Sequence, residues 1–304
     1  MCNLSGLAKY FNSVNFANAM GCVSDGSTDT TTALQSAMDS LGAGDSLLLD
    51  GQYRVSSLVQ KTGVSLMSVG GTWGVGSAAY GYQGGAVIFS NTAGVPVLDI
   101  RDSAGSHFKH RNIRINGNIG SETCVKFGSV NNGAGLERVF LDGSGCPTGI
   151  LFSAPCLGPF FMTECYTTNF SDANITNNGC ALLHIDKGIN DVGGNCFVRQ
   201  QTDGGHLFIR GTYLEWQSGV KDVVILNNHQ KAPTRVKIEV VQTAVSPRSI
   251  IHQIGNTLAA PIDVDYAGMA PEFLYLDDAA PLRNIPWQSE FAYGVTAHKG
   301  SVNL

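Results

Sequence analysis

Residues 16–55 constrain the fold more than any other part of the chain. They open with a Gly/Asp-rich loop at 21–29, whose last side-chain oxygens can cap a helix by accepting the free N–H groups of its first turn. The next apolar residues share one helical stripe: Ala33, Leu34, Ala37, Met38 and Leu41. Gly42 and Gly44 end this predicted helix, since glycine takes the left-handed conformation cheaply. A strand at 46–49 follows, and then a tight turn into the next strand.

This order of elements resembles the start of the pectate-lyase-like right-handed β-helix superfamily, especially its phage tailspike and depolymerase members. Two short motifs carry the resemblance, Asp25-Gly26-Ser27-Thr28-Asp29-Thr30 before the helix and Gly51-Gln52-Tyr53 after the strand. Asp50 stands where the family usually has proline, and residues 22–24 lengthen the loop. The resemblance implies a parallel β-helix whose N-terminal end this segment caps.

A weak repeat in the middle of the chain supports the same architecture. Short strands separated by Gly, Asn, Asp and Ser turns follow one another without a helix, which argues against an alternating α/β fold. Ile113 and Val139 begin similar strands, and the interval between them is repeated from Val139 to Cys165. A slightly shorter interval separates Glu215 from Glu239. Stacked coils require such a period because each coil buries its inner face only against its neighbours.

We therefore predict an all-β protein, a right-handed parallel β-helix with a short N-terminal capping helix and an irregular C-terminal arm. Residues 1–45 form the N-terminal segment and capping helix, and residues 46–268 form the β-helix. Residues 269–304, where prolines replace the strand pattern, form a C-terminal cap or an inter-subunit arm. The period is irregular at 186–206, which predicts a longer loop there.

The charge, hydropathy and cysteine pattern of the chain argue against several kinds of partner and site. The net charge of −5 argues against a nucleic-acid partner, which would require a basic stripe. No apolar run is long enough to span a membrane, and the first residues lack the pattern of a secretion signal, so we expect folding in a cytoplasm. The eight cysteines form no Cys-x-x-Cys pair, which favours small buried side chains over disulfides or metal ligands. We expect no cofactor and no metal.

Members of the superfamily mostly act on polysaccharides, so the resemblance directs attention to carboxylates. Hydrolysis needs two carboxyl groups, and coils stacked about 4.8 Å apart can bring such groups to the separation that retaining enzymes use. The candidate catalytic residues are Glu215, Asp142 and Glu164, with Asp203 and Glu239 in a similar setting. For each of them the alternative is a structural role at a strand end, where acidic side chains bind turn backbone.

Aromatic residues are the candidate glycan-binding groups. Trp216 follows Glu215, but neighbouring residues of a strand point to opposite faces, so the two side chains need a bend to serve one ligand. Trp73, Tyr80 and Tyr82 lie in a glycine-rich segment that fits glycan binding, an interface between subunits, or core.

An elimination mechanism would use a base such as Arg199, Arg210 or Arg235. The calcium cluster of aspartates that pectate lyases use has no equivalent in this sequence, so hydrolysis is favoured over elimination if the chain is an enzyme.

The resemblance implies a virion spike of the tailspike or head-spike type, assembled as a homotrimer in the host cytoplasm and attached to other virion proteins. Such a spike binds host surface polysaccharide, and whether it also depolymerises that polysaccharide stays open. Two alternatives remain, a purely structural or adhesive virion appendage without catalysis and a cellular polysaccharide lyase or hydrolase.

Overall fold

The computed structural model describes residues 14–69, 85–101, 107–128, 133–201, 205–216, 222–227, 234–243, 249–254, 262–267 and 274–276. These residues form a right-handed parallel β-helix with one short N-terminal helix, as predicted. The sequence candidates Trp73, Tyr80, Tyr82 and Asp203 lie outside the described residues, and so does the C-terminal segment 277–304. No helix among the described residues has the length and apolar character that crossing a membrane requires.

The described chain contains the helix α1 (Thr31–Asp39), a 3₁₀ turn (Asn18–Met20) and short strands numbered in chain order. The strands are β1 (Val14–Phe16), β2 (Asp25–Asp29), β3 (Ser46–Leu49), β4 (Gln52–Val55), β5 (Leu58–Gln60), β6 (Ser65–Ser68), β7 (Ala86–Ser90), β8 (Leu98–Ile100), β9 (Phe108–Arg111), β10 (Ile113–Asn116), β11 (Thr123–Phe127), β12 (Ala134–Glu137), β13 (Phe140–Asp142), β14 (Thr148–Phe152), β15 (Cys156–Thr168), β16 (Ala173–Asn177), β17 (Cys180–Val192), β18 (Cys196–Gln200), β19 (His206–Trp216), β20 (Asp222–Asn227), β21 (Thr234–Thr243), β22 (Ser249–Ile254), β23 (Ile262–Ala267) and β24 (Leu274–Leu276).

Each coil contributes to three faces. Within the described residues, one sheet has 15 strands and bends around a corner, while the other has nine strands in the order β24-β22-β20-β18-β16-β14-β11-β8-β5. We call β9, β12 and the leading halves of β15, β17 and β19 the first face. The second face consists of β10, β13 and the trailing halves of the same long strands. The nine-stranded sheet is the third face.

A column of residues in the left-handed backbone conformation forms the corner between the first and second faces. Asn112, Arg138, Glu164 and Lys187 have φ angles of 54°, 51°, 51° and 59°, and Gly211 continues the column at 61°. They occupy equivalent positions in successive coils, because the strands on either side of them pair in register. A non-glycine residue in this conformation costs about 1 kcal/mol or more, so packing on both sides must hold each corner in place.

The coil period in the middle of the chain is confirmed, and two details of the sequence prediction are wrong. Arg114 pairs with Phe140 and Phe140 with Tyr166, which is the interval that the repeat predicts. The segment 186–206 is no loop, since β17, β18 and the start of β19 occupy most of it. Glu215 and Glu239 do not stack on each other, because the coil that joins them is longer than the one before it. Glu239 pairs with Arg210 instead.

The interior consists of apolar columns that run along the helix axis. One such column holds register neighbours that are at most 1% exposed: Leu136, Met162, Ile185, Ile209 and Ile238. The seven described cysteines are all free and buried, as small apolar side chains would be. Burial raises the pKa of the Cys165, Cys180 and Cys196 thiols to about 12 in each case.

Helix α1 closes the N-terminal end of the stack. Leu34, Ala37 and Met38 are its buried face. The Gln35 side chain completes the open edge of β5: its Nε2 donates to the Val59 carbonyl (2.7 Å), and its Oε1 accepts from the Val59 N–H (2.8 Å). The amide therefore takes the place of one further strand, which leaves this edge without unpaired backbone groups at Val59.

Replacing Gln35 with alanine tests this edge closure. Gln35→Ala should lower the free energy of unfolding by about 2 kcal/mol, since two backbone-directed hydrogen bonds are lost at a partly buried edge. The measurement is equilibrium denaturation in urea. Ser36→Ala, at the exposed neighbouring position of the same helix, should change the stability by less than about 0.5 kcal/mol. Equal effects of the two substitutions would contradict the assignment.

Candidate functional site

Three aromatic rings stack on the outside of the first face. Phe161, His184 and Phe208 are register neighbours in β15, β17 and β19. The Phe161 and His184 rings lie 5.1 Å apart at 21°, and the His184 and Phe208 rings lie 4.8 Å apart at 10°. Phe161 is 42% exposed, and the other two rings are partly exposed. We call these three residues the aromatic ladder.

Strand alternation produces the aromatic ladder. The residues immediately before its rings, Phe160, Leu183 and Leu207, point inward and are buried in the core. The ladder residues therefore point outward, in line with one another, because all three strands pair without a shift at this position. Partial burial, and next the charge of Arg210, lower the pKa of His184, so its ring is neutral at pH 7 and stacks as an uncharged aromatic group.

A column of charged residues runs beside the aromatic ladder, two positions further along each strand. It contains Arg111, Glu137, Asp186 and Arg210, with the uncharged Thr163 between Glu137 and Asp186, and we call it the charged column. Arg210 donates two hydrogen bonds of 2.9 Å to the Asp186 carboxylate, from Nε to Oδ1 and from a terminal nitrogen to Oδ2. These hydrogen bonds, together with the charge of Arg210, lower the pKa of Asp186 although partial burial opposes the shift.

Glu137 is surrounded by three cations. Lys109 Nζ lies 3.1 Å from Glu137 Oε2, Arg111 Nε lies 3.4 Å from the same oxygen, and an Arg138 terminal nitrogen lies 3.3 Å from Oε1. Partial burial by itself would raise the pKa of Glu137, but the hydrogen bond from Lys109 and the three positive charges outweigh it and lower the pKa. This end of the first face thus carries more positive than negative charge.

The second face brings two carboxylates to neighbouring coils. Asp191 and Glu215 are register partners, and Glu215 is exposed. Asp191 Oδ2 accepts hydrogen bonds from the Tyr166 hydroxyl (2.6 Å) and the Thr168 hydroxyl (2.9 Å). Its Oδ1 atom is buried without a hydrogen-bond partner among the described residues. Burial first, and then Asp191 and Glu215, raise the pKa of Tyr166, so this phenol stays a hydrogen-bond donor. We call Asp191 and Glu215 the carboxylate pair.

The structure separates the three carboxylates that the sequence put forward as catalytic. Asp142 is buried on the second face, where Arg114 (2.6 Å), Asn169 (3.0 Å) and the Ser144 N–H (3.1 Å) all donate to it. Glu164 is a corner residue that lies 3.3 Å from Arg138 and 3.8 Å from Lys187. A catalytic role for any of the three stays a prediction, and Glu215 is the one that lies beside a second carboxylate.

Of the aromatic residues that the sequence predicted to bind glycan, the structure describes only the backbone of Trp216. The backbone of Trp216 pairs with that of Val192, a core residue, while its side chain lies outside the described part of the structure. Arg210, proposed as a base for elimination, lies on the first face and is bound to Asp186.

Sequence reasoning missed the aromatic ladder and Asp191. The sequence does contain a sign of both features, because the interval from His184 to Phe208 equals the interval from Asp191 to Glu215. These residues differ in type from coil to coil, so a search for repeated strand motifs does not find them. Only the register of neighbouring coils brings them together.

Comparison with known proteins adds no family assignment. No family model and no curated protein sequence matches the chain. Solved structures with a similar course of the chain include the A-module of a mannuronan C-5 epimerase from Azotobacter vinelandii, with 13% identity, a TM-score of 0.46, and coverage of 92% of this chain and 100% of that one. Another is a protein of Geobacillus virus E2, with 15% identity, a TM-score of 0.48, and coverage of 94% of this chain and 62% of that one. A third is an iota-carrageenase bound to iota-carrageenan fragments, with 12% identity, a TM-score of 0.39, and coverage of 81% and 57%. At these identities and scores, the likenesses carry no argument about function.

The ion pairs of the first face predict how stability depends on pH. The pKa values of Glu137 and Asp186 are lower in the folded chain than in the unfolded chain. Their contribution to stability is therefore complete above the ordinary carboxylate range, roughly pH 4, and is lost as the pH falls through the lowered values.

Denaturation at a series of pH values measures this loss. Arg210→Gln should flatten the acid limb of the stability curve, since Asp186 then loses the partner that lowers its pKa. Lys126→Gln is the matched control, because Lys126 pairs with Glu122 on the third face. An acid limb that Arg210→Gln leaves unchanged would show that the charged column does not contribute.

Proposed function

We propose that this chain is a polysaccharide-binding β-helix protein of the virion-spike type, and that its first face holds host surface polysaccharide. The observation that carries the proposal is the partly exposed aromatic ladder of Phe161, His184 and Phe208 beside the charged column. Single exposed apolar residues are normal on a protein surface, but three aromatic rings stacked in line form a contiguous patch, and such patches mark binding sites or interfaces.

The chemistry of the first face suits a sugar polymer. Sugars present apolar C–H groups beside hydroxyl groups, and the face presents aromatic carbon beside guanidinium and carboxylate groups that donate and accept hydrogen bonds. Neighbouring coils are about 4.8 Å apart, so a polymer lying along the helix axis meets a ring in each of three successive coils and, in the coils of His184 and Phe208, a charged group beside the ring. Many weak contacts on one polymer add up to useful affinity.

The assignment to a virion rests on the resemblance that the sequence motifs at residues 25–30 and 51–53 carry. Homotrimer assembly, attachment to other virion proteins and host attachment are parts of this proposal. A purely structural or adhesive appendage is the alternative in which the first face binds glycan, or nothing, without cleavage.

Hydrolysis at the carboxylate pair is the second candidate function. One exposed carboxyl group, Glu215, lies beside one that hydroxyl donors hold in place, Asp191, and glycoside hydrolysis uses two such groups. Glu215 is the group that can protonate a leaving oxygen, since it reaches solvent. For Asp191 to act on the sugar, the groups that cover its Oδ1 atom must move.

Binding to a panel of bacterial capsule and lipopolysaccharide glycans tests the proposed function. Phe161→Ala and Phe208→Ala should each weaken binding of the retained glycan roughly tenfold, about 1.4 kcal/mol, because each removes aromatic contact area. Ile119→Ala is the control, since Ile119 is an exposed apolar residue in a turn away from the first face. Retention of no glycan, or retention that both phenylalanine variants leave unchanged, would refute the proposal.

Release of reducing ends from the retained glycan tests the second candidate. Glu215→Gln should lower the rate by about 100-fold or more, as removal of a general acid does, and Asp191→Asn should lower it as well. Asp142→Asn should keep the rate while lowering the thermal stability, because the buried carboxylate accepts hydrogen bonds from Arg114, Asn169 and the Ser144 N–H. Glycan binding without release would favour the adhesive alternative, and release lost only in Asp142→Asn would move the site.

A further inference from the structure

We propose that the junction between β6 and β9, at the N-terminal end of the first face, is an acid-sensitive seam that opens when the imidazole of His110 takes up a proton from water. The inference does not depend on the proposed function, since it concerns how this end of the stack is held together. The seam consists of Ser65, Leu66, Lys109 and His110.

The β6–β9 junction has less strand pairing than the junctions on either side of it. β3 pairs with β6 along four residues, and β9 pairs with β12 along four residues. Between β6 and β9 the register holds at one pair among the described residues, Met67 with Arg111. Strand pairing normally satisfies the N–H and C=O groups of neighbouring coils, so this junction needs other hydrogen-bond partners.

Two side chains complete the hydrogen bonding across this junction. The Leu66 N–H donates to His110 Nδ1 at 3.0 Å, and the Lys109 N–H donates to Ser65 Oγ at 3.1 Å. One accepting side chain comes from each strand, so the two bonds cross the junction in opposite directions. The seam therefore depends on His110 keeping Nδ1 as an acceptor.

His110 lies in the core and is 0% exposed. Its side chain points inward between the strands of Leu66 and Leu136, and its ring lies 5.2 Å from that of Phe108. Since Nδ1 accepts from Leu66, the neutral ring carries its proton on Nε2, which is buried without a hydrogen-bond partner among the described residues. A hydrocarbon side chain would avoid this unpaired donor but would leave the Leu66 N–H without its acceptor.

No charged group faces the His110 ring among the described residues. β6 and β12, the strands packed against β9, turn only uncharged side chains inward, namely Leu66, Ser68, Ala134 and Leu136. The inward residues of β5, β8 and β11 across the interior are uncharged as well. Lys109 and Arg111 of β9 lie on the outer side, where both pair with Glu137. Burial alone accordingly lowers the pKa of His110 to about 3.

Protonation of His110 breaks the seam for two reasons. A protonated imidazole has an N–H donor at both nitrogens, so Nδ1 can no longer accept from Leu66. The charge would also remain in apolar surroundings without a partner, whereas the ring of an opened seam reaches water.

The direction of the pH dependence follows from these two states. In the open seam the ring has its ordinary pKa of about 6.5, whereas the closed seam binds the proton only near pH 3. The closed seam is therefore fully stable above the ordinary pKa. As the pH falls from there towards 3, its opening equilibrium rises by up to about tenfold per pH unit.

Opening of the seam separates β6, with β3 and β1 beyond it in the same sheet, from the rest of the first face. The other two faces keep their pairing at this level, since β7 pairs with β10 along four residues and β8 with β11 along three. The seam thus gives a local opening at the N-terminal end of the first face, and the stack beyond it stays folded.

Hydrogen–deuterium exchange of the full chain at pH 7 and pH 5 tests the seam, read from peptides that cover residues 63–69 and 107–112. After correction for the intrinsic pH dependence of exchange, the opening constant of these peptides should rise about 25-fold from pH 7 to pH 5. This is the ratio for a group of pKa about 6.5 that titrates only in the open form. Peptides from β14 on the third face should show no such rise.

Three variants separate the titration of His110 from the packing of the seam. His110→Asn keeps an acceptor in the place of Nδ1 but cannot titrate, so seam exchange should change by less than about twofold between the two pH values. His107→Gln is the matched control, because His107 is an exposed histidine just before the same strand, and it should keep the wild-type rise. Ser65→Ala removes the other bond of the seam and should raise exchange by the same factor at both pH values.

Three results would overturn the inference. Seam exchange in the wild-type chain that does not rise at pH 5 would show that His110 does not control this junction. A rise that His110→Asn keeps would assign the effect to another group, and an equal rise in β14 would show unfolding of the whole stack. If circular dichroism shows that His110→Asn does not fold, the wild-type comparison of the seam with β14, together with His107→Gln and Ser65→Ala, decides the question.

Discussion

The left-handed corner is the constraint on which the rest of the described structure depends. Each of five successive coils passes from the first face to the second through a residue with positive φ, and four of these five residues are not glycine. Such a backbone is unfavourable by itself, so it persists because the strands on both sides are held by pairing and by burial. Since the corner falls at the same position in each of these five coils, inward residues meet inward residues and outward residues meet outward residues. The apolar columns of the core and the functional columns of the surface are two results of the same register.

That register also divides the chemistry of the surface. The first face carries aromatic rings and an excess of cations at one end, while the second face carries the carboxylate pair and the hydroxyl groups that bind it. The corner between them is itself charged, with Glu164 paired to Arg138 and Lys187. A polymer bound along one face therefore lies next to a different set of groups on the other. In a solenoid this separation needs no special loop, because each coil supplies one residue to each column.

The sequence was sufficient for the architecture and insufficient for the site, for physical reasons. The motifs at residues 25–30 and 51–53 and the regular steps through Arg114, Phe140 and Tyr166 depend on local turns and on burial, which leave clear patterns in a single sequence. The site depends on which coils are neighbours. Glu215 and Glu239 looked like partners at a plausible spacing, yet one longer coil places Arg210 opposite Glu239 and leaves Asp191 opposite Glu215. The aromatic ladder was hidden for the same reason, since a histidine between two phenylalanines is not a repeat until the register is known.

The buried cysteines have a consequence beyond packing. They are spread through the stack, with Cys124 in β11, Cys156 and Cys165 in β15, Cys180 in β17 and Cys196 in β18. Burial raises the pKa of the Cys124, Cys165, Cys180 and Cys196 thiols and so suppresses the thiolate form that reacts. A thiol reagent can modify one of them only after its coil has separated from a neighbour. The cysteines thus act as chemical markers along the axis, and the order in which they are alkylated records whether the β-helix opens from its ends or from its middle.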